Sequence, residues 1–395
     1  MVNLSISKRV QIPVYSTAGF SNSLGDIVPL VIPLWLTTID VEPILIGLTV
    51  SARYIGPLLF SIQGGALMDR FGVRKVLIFF GCLGAITPLL YSFSGWLPFV
   101  ICLQLVGGLA DSISWSGSQT LTNQVFKGCA VLAGRMIAAT RIGTLIGPFI
   151  AGICLDSFGP IGGFLAMSLW GFGTLISIIL VPAFSIPRPV LPPTVEPHNI
   201  IPKFADYRTT FRLLSMPIIA TMMAVTTLRQ VGSSIQGSFY TIHLSDVGVS
   251  EIIIGLLFAI NGLAGIFSVW TGWLTRYFNS EKLLFWSVGI SIFSITIVPV
   301  SENLIFQCAM AALRGFSLAI SVALLLAILA KEVKSEYQGR LIGLRMTCHQ
   351  LLNVIVPIAL GIVVQITSMV IGFYLIGGLA ILGLFIVSFR YRLTK

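Results

Sequence analysis

The sequence predicts an all-α membrane protein, with twelve transmembrane helices in two pseudo-symmetric six-helix halves. Three observations carry that prediction. Of 395 residues, 56% are hydrophobic and only 10% are charged, against about 25% charged in soluble proteins. The apolar residues fall in runs long enough to cross a bilayer, which takes about 20 helical residues. A charged turn, Gly65-Ala-Leu67-Met-Asp69-Arg70-Phe-Gly72-Val-Arg74-Lys75, separates two such runs. It returns in altered form as Gly272-Trp-Leu274-Thr-Arg276-Tyr-Phe278-Asn279-Ser-Glu281-Lys282. Charged turns at matching places in two halves of a membrane chain mean a duplicated bundle.

The first span falls near residues 12–37, behind Lys8 and Arg9. No small-residue cleavage site follows, so it is expected to stay as a signal-anchor. The next five fall near 44–68, 75–94, 97–125, 131–155 and 160–182. A polar break follows with Pro187, Pro189, Pro192, Pro193, Pro197 and Pro202 beside Arg188, Lys203, Arg208 and Arg212. That composition reads as a linker. The division is therefore an N-terminal half at 1–182, a cytoplasmic Pro-rich linker at 183–212 and a C-terminal half at 213–395. The last six spans fall near 214–242, 251–275, 283–300, 304–330, 338–366 and 369–389.

Charge sidedness tests this count. With both termini inside, the cytoplasmic turns hold Lys8, Arg9, Arg70, Arg74, Lys75, Lys127, Arg135, the linker bases, Arg276, Lys282, Lys331, Lys334, Arg340, Arg390, Arg392 and Lys395. The outer turns hold Asp40, Glu42, Asp156, Asp246, Glu251 and Glu302, without Lys or Arg. A miscounted helix would mix the two groups. The net charge of +10 thus belongs to one membrane face and gives no reason to expect nucleic acid. The 6 cysteines are scattered without C-x-x-C spacing, so structural thiols are expected and no metal or redox site.

The charged turn has its own physical logic. Gly65 is expected to let two helices approach closely, and Gly72 to turn the chain. Asp69 can accept from a facing helix N-terminus or from a base. Arg70, Arg74 and Lys75 anchor the loop inside and can hold an inner gate shut. In the second copy Arg276 stands for Asp69, Asn279 for Gly72 and Glu281 for Arg74. The stronger lock is therefore expected in the N-terminal half.

The pattern G-x-L-x-D-R-x-G-x-R-K resembles the loop between helices 2 and 3 of the major facilitator superfamily (MFS). A second element, Arg141-Ile-Gly143-Thr-Leu-Ile-Gly147-Pro148-Phe-Ile-Ala151-Gly152, resembles the antiporter motif of that family's exporters, with Ala151 for one glycine. Gly143, Gly147 and Ala151 form a small-residue stripe that permits close helix contact. The eighth span, with Asn261, Gly262 and Gly265, is the expected partner, and Pro148 is expected to bend the fifth span. The alternative is a generic packing stripe. One departure is Gln104, which sits near the place where many proton-coupled drug exporters carry an arginine.

Ionisable side chains within spans are costly, at least about 2.5 kcal/mol at mid-bilayer, and usually face water and work there. They are Asp26, Arg53, Asp111, Arg141, Arg229, Arg314 and His349. The resemblance implies that the first, fourth, seventh and tenth spans line a central cavity. Asp26 and Asp111 would then make the N-half wall acidic, and Arg229 and Arg314 the C-half wall basic. Asp26, Asp111 and His349 are the proton-coupling candidates. Arg229, Arg314, Arg53 and Arg141 are the candidates for holding an anionic group. Polar and aromatic neighbours extend these faces at helical spacing, and Asn22, Gln104, Trp115, Gln236 and Tyr240 are further substrate-binding candidates. Asn22 precedes Asp26 by four residues, Trp115 follows Asp111 by four, and Gln104 precedes it by seven. Gln236 and Tyr240 extend the Arg229 face, and Asn353 that of His349. The alternative is structural: acids and arginines pairing across the halves as gating salt bridges.

The resemblance implies a secondary transporter working by alternating access in a bacterial inner membrane, monomeric, with no cofactor. Its partners would be a small-molecule substrate, a proton and membrane lipid. Proton-coupled efflux of an anionic or zwitterionic compound is the primary expectation. Uptake of an organic anion, or efflux of lipophilic cations, are the alternatives. No nucleotide-binding motif and no clustered nucleophile and base appear, so neither a primary pump nor an enzyme is expected.

Overall fold

The structure, a computed structural model, describes residues 7–93, 95–126, 129–183, 216–332 and 335–393. The linker from residue 184 onward lies outside these residues, as do Lys127, Lys334 and Lys395. The described residues are almost all helical, and no strand occurs among them. The long helices are α1 (Lys8–Thr38), α2 (Pro43–Phe71), α3 (Val73–Leu90), α4 (Leu97–Phe126) and α5 (Ala130–Leu180), then α6 (Pro217–Gln236) and the short α7 (Tyr240–Asp246). There follow α8 (Glu251–Ala264), α9 (Thr271–Tyr277), α10 (Ser280–Thr296), α11 (Leu304–Glu332), α12 (Ser335–Ile366) and α13 (Met369–Leu393).

Eight described helices are long and apolar enough to cross a membrane, and a bent pair makes a ninth. Twelve spans are consistent with this. Helix α5 contains the expected fifth and sixth spans, joined at Gly159 with φ 61° and ψ −157°. That conformation is open to glycine alone, and Pro160 then starts the second arm. The seventh span is α6, whose apolar run is interrupted by Arg229, Gln230 and Gln236. The ninth is α10, only 17 residues long.

Two spans are less regular than expected. The seventh leaves the helix after Gln236, makes a turn at 237–239 and resumes as α7. The eighth passes through a 3₁₀ segment, Gly265–Trp270, and bends by 58° into α9. Gly262, Gly265 and the β-branched and aromatic residues after them give this stretch little helix propensity.

The chain divides into two compact units. The first gathers the residues up to Trp35, those from Ala52 to the linker, and Ser250–Ala259; the second gathers Leu36–Ser51, the residues from the linker to Val249, and those from Ile260 onward. Within the first, α3 packs on α4 and α5 around Val73, Leu77, Phe80, Ile113, Leu121 and Ile178. Trp35, Tyr91 and Phe164 close an aromatic triangle with centroids 5.1–5.6 Å apart. In the second, α6 packs on α12, and α10 packs on α11 and α13. The first turns of α2 pack on α12, where a Cβ on Gly47 would lie 2.3 Å from the Pro357 carbonyl. Ser51 donates to the Val354 carbonyl nearby at 2.7 Å. Large apolar side chains such as Leu165, Phe385 and Trp286 point outward, as a lipid-facing surface requires.

Candidate functional site

Each unit carries its own polar cluster. In the first, Asp26 sits half-buried on α1, and the Thr144 hydroxyl of α5 donates to its Oδ2 at 2.8 Å. Asn22, one turn earlier, donates to the same hydroxyl oxygen at 3.1 Å. Arg141 lies three residues before Thr144, within Coulombic reach of Asp26, but forms no ion pair with it. Asn22 and Asp26 are legible in the sequence by their spacing, whereas Thr144 is not. A threonine between two motif glycines gives no signal beyond its hydroxyl.

The second acid of this unit is arranged differently. Arg53 of α2 forms an ion pair with Asp111 of α4 and donates through Nη1 to the Gln104 carbonyl oxygen at 3.2 Å. Gln104 and Asp111 lie seven residues apart on α4, so their side chains stack on one face two turns apart. Gly108 between them makes this possible, because a Cβ there would lie 1.8 Å from the Arg53 carbonyl oxygen. The salt bridge pairs an acid and an arginine inside one unit. Trp115, half-buried on α4, touches neither partner by a hydrogen bond among the described residues.

The second unit is cationic. Arg229 on α6 is 7% exposed and Arg314 on α11 is 2% exposed. Neither meets a carboxylate among the described residues. Arg229 faces His349 of α12, with Nη2 to Nε2 at 3.4 Å, and Thr226 approaches the same ring nitrogen at 3.1 Å. A guanidinium only donates, so Nε2 can serve this contact only as an acceptor. Arg345 lies one turn before His349, and its charge reaches both His349 and Arg229. Arg314 donates through Nη1 to the Gln236 carbonyl oxygen. Its Nε and Nη2, and the Nε of Arg229 and of Arg345, are buried without a hydrogen-bond partner. Asn353, one turn after His349, accepts from Gln230 at 2.8 Å and Ser234 at 2.7 Å, tying α12 to α6. Tyr240 was expected on one continuous face with Arg229 and Gln236. It lies instead beyond the 237–239 turn, near enough to Arg314 to feel its charge.

The charged turn also departs from expectation in one respect. A Cβ on Gly65 would meet nothing within 4 Å, so this glycine mediates no close helix contact; its neighbour Gly64 faces Ile113 instead. Gly72 does turn the chain, with φ 86°, and caps α3. The corresponding Asn279 caps α10 with ordinary φ −60°, its side chain accepting from the Glu281 N–H at 2.9 Å. Arg74 donates to the Ile179 carbonyl at 2.9 Å, which satisfies the last turn of α5 and opposes its dipole. Asp69, Arg70 and Lys75 are exposed.

The stripe on α5 packs in two directions. Gly143 lies against Gly19 and Ser23 of α1, and Gly147 against Ser23, Ile27 and Trp170. Gly152 and Pro148 meet α8 at Glu251 and Gly255, where a Cβ on either glycine would come within 2.6 Å of a carbonyl. The eighth span is thus the partner of the stripe, through its first turns. Further along α8, Gly315 of α11 packs closely against the Asn261 carbonyl.

A family model described as the Major Facilitator Superfamily matches residues 13–228 and 222–395. The chain belongs to that superfamily. It is a membrane transporter rather than an enzyme. Among its relatives in the superfamily are the enterobactin exporter EntS of Salmonella typhi, 26% identical over 81% of this chain and 76% of the relative, and that of Escherichia coli O1:K1 / APEC, 25% identical over the same shares. Solved structures with this fold include the nucleoside transporter NupG (D323A mutant), with TM-score 0.78 and 14% identity over 96% of this chain and 98% of that one. The POT family transporter PepTSo has TM-score 0.76 and 13% identity, covering 98% of both chains. The superfamily fold is therefore established along the whole chain, and these distant structures speak to fold alone.

Proposed function

We propose that this superfamily transporter exports a small organic anion across a bacterial inner membrane, driven by proton entry, by alternating access. The observation that carries the reading is the pair Arg229 and Arg314. Both are buried, both keep unsatisfied N–H groups, and neither meets a carboxylate among the described residues. An unpaired buried charge is expensive, so a binding role accounts for its retention. The two acids of the first unit take different parts. Arg53 neutralises Asp111, whereas Asp26 is held by a neutral hydroxyl and is free to exchange a proton. The relatives named as exporters favour outward transport, and the helix-5 motif points the same way. Basic residues in one set of turns support cytoplasmic termini.

The test is thermal stability of the detergent-purified protein against a panel of metabolites and drugs, at about pH 5.5 and about pH 8, either side of the histidine range. A ligand that binds only the folded state raises its melting temperature by mass action. Stabilisation by organic anions supports the reading. Stabilisation by lipophilic cations alone overturns it.

A further inference from the structure

We infer that the substrate carries at least two acidic groups, one taken by the free edge of Arg314 and the other by the Arg229–Arg345 pair. This rests on the anionic reading above and narrows it. In a guanidinium, Nε and Nη2 share one edge of the planar fork. On Arg314 these are the two nitrogens left without partners, while Nη1 is occupied by Gln236. An unoccupied edge of this kind accepts a carboxylate or phosphate through two parallel hydrogen bonds. At 2% exposure the edge is not satisfied by bulk water.

The second point is separate. Arg229 lies on α6 with Nη2 turned to His349, and its buried Nε is free. Arg345, on α12 with His349, has a buried free Nε as well. The charges of Arg345 and Arg314 both reach Arg229. Arg229 thus stands between two further guanidinium charges, with no carboxylate among the described residues to balance them, and this favours a multiply charged anion over a single one. A monoanion would leave at least one of these groups unpaired at the cost that uncompensated burial imposes. His349, itself held by Thr226, contacts Arg229, and Gln236 accepts from Arg314, so the two points are anchored on different helices.

The experiment uses the full-length protein in detergent with unbranched α,ω-dicarboxylates of increasing length and the matching monocarboxylates, read by calorimetric titration and thermal shift. At least one dicarboxylate is expected to bind more than tenfold tighter than its monocarboxylate. Arg314→Gln and Arg229→Gln should each reduce that dicarboxylate to the affinity of the monocarboxylate. Arg314→Lys, which keeps the charge but not the fork, should lose most of the difference while remaining folded by size-exclusion chromatography. Equal binding of both classes would overturn the two-point inference and leave the anionic reading standing. Binding of neither class, alongside stabilisation by cations, would overturn both.

Discussion

Arg53 and Asp111 form a buried ion pair between α2 and α4, with Gln104 taking a second guanidinium nitrogen. The carboxylate is therefore compensated locally, where the sequence analysis had offered Arg53 as an anion ligand. Removing one partner of such a pair leaves an uncompensated charge, at a cost of about 3–5 kcal/mol. Arg53→Met should lower unfolding free energy by about that amount, measured by titration with a denaturing detergent. The double variant Arg53→Met/Asp111→Leu should recover most of the loss. A double variant as unstable as the single one would mean that the pair is not the source of the effect.

Asp26 and Thr144 make the contrasting case. Asp26→Asn keeps the volume and can still accept from Thr144, so folding should survive. Accumulation against a gradient should disappear, while exchange of labelled for unlabelled substrate in proteoliposomes continues. Thr144→Val removes the hydroxyl's hydrogen bonds to both Asp26 and Asn22, each worth about 1 kcal/mol, and should slow coupled transport by at least about fivefold. Gradient-driven accumulation by Asp26→Asn would exclude this carboxylate from coupling.

The charged turn separates two glycines of one motif. Gly65 has open space around its Cα and helical backbone, so Gly65→Ala should be neutral or stabilise by about 0.5–1 kcal/mol. Gly72, at φ 86°, has no such tolerance, and Gly72→Ala should destabilise by roughly 1–3 kcal/mol. Thermal unfolding of the two variants side by side is the measurement. Gly65→Ala falling as far as Gly72→Ala would show that the first glycine makes a contact after all.

Periodicity explains how much of this was legible. Asn22 with Asp26, Gln104 with Asp111, and His349 with Asn353 were grouped by helical spacing, and each pair converges on one neighbouring helix. Spacing within a helix cannot name the partner across it. That Arg53 reaches Asp111 depends on how closely α2 crosses α4 at Gly108, which is a tertiary fact. Thr144 and Thr226 are ordinary helix residues in sequence and become site residues only when α1 and α12 arrive beside them. The interruptions at 237–239 and 265–270 were likewise hidden, because apolar content over a span does not report whether it keeps α-helical geometry. The Asn279 cap was visible as a substitution for Gly72, but its mechanism was not. One position turns by backbone conformation, the other by a side-chain cap.

The contact between α5 and α8 offers a last test, because it falls on the exporter-like motif. Gly152 and Gly255 face each other across the crossing. A Cβ on Gly255 would lie 2.5 Å from the Pro148 carbonyl, and one on Gly152 would lie 2.6 Å from the Glu251 carbonyl. Both obstacles are backbone, so the helices must separate to admit even a methyl group. Gly255→Val should destabilise the fold by at least the 1–3 kcal/mol typical of overpacking. Gly134→Val, at a position on helix α5 where a Cβ meets nothing within 4 Å, should be neutral or stabilise by about a few tenths of a kcal/mol, because valine is the better helix former. If transport falls in Gly255→Val while unfolding is unchanged, the crossing is a moving contact rather than a fixed one, and the motif acts in the cycle and not in stability.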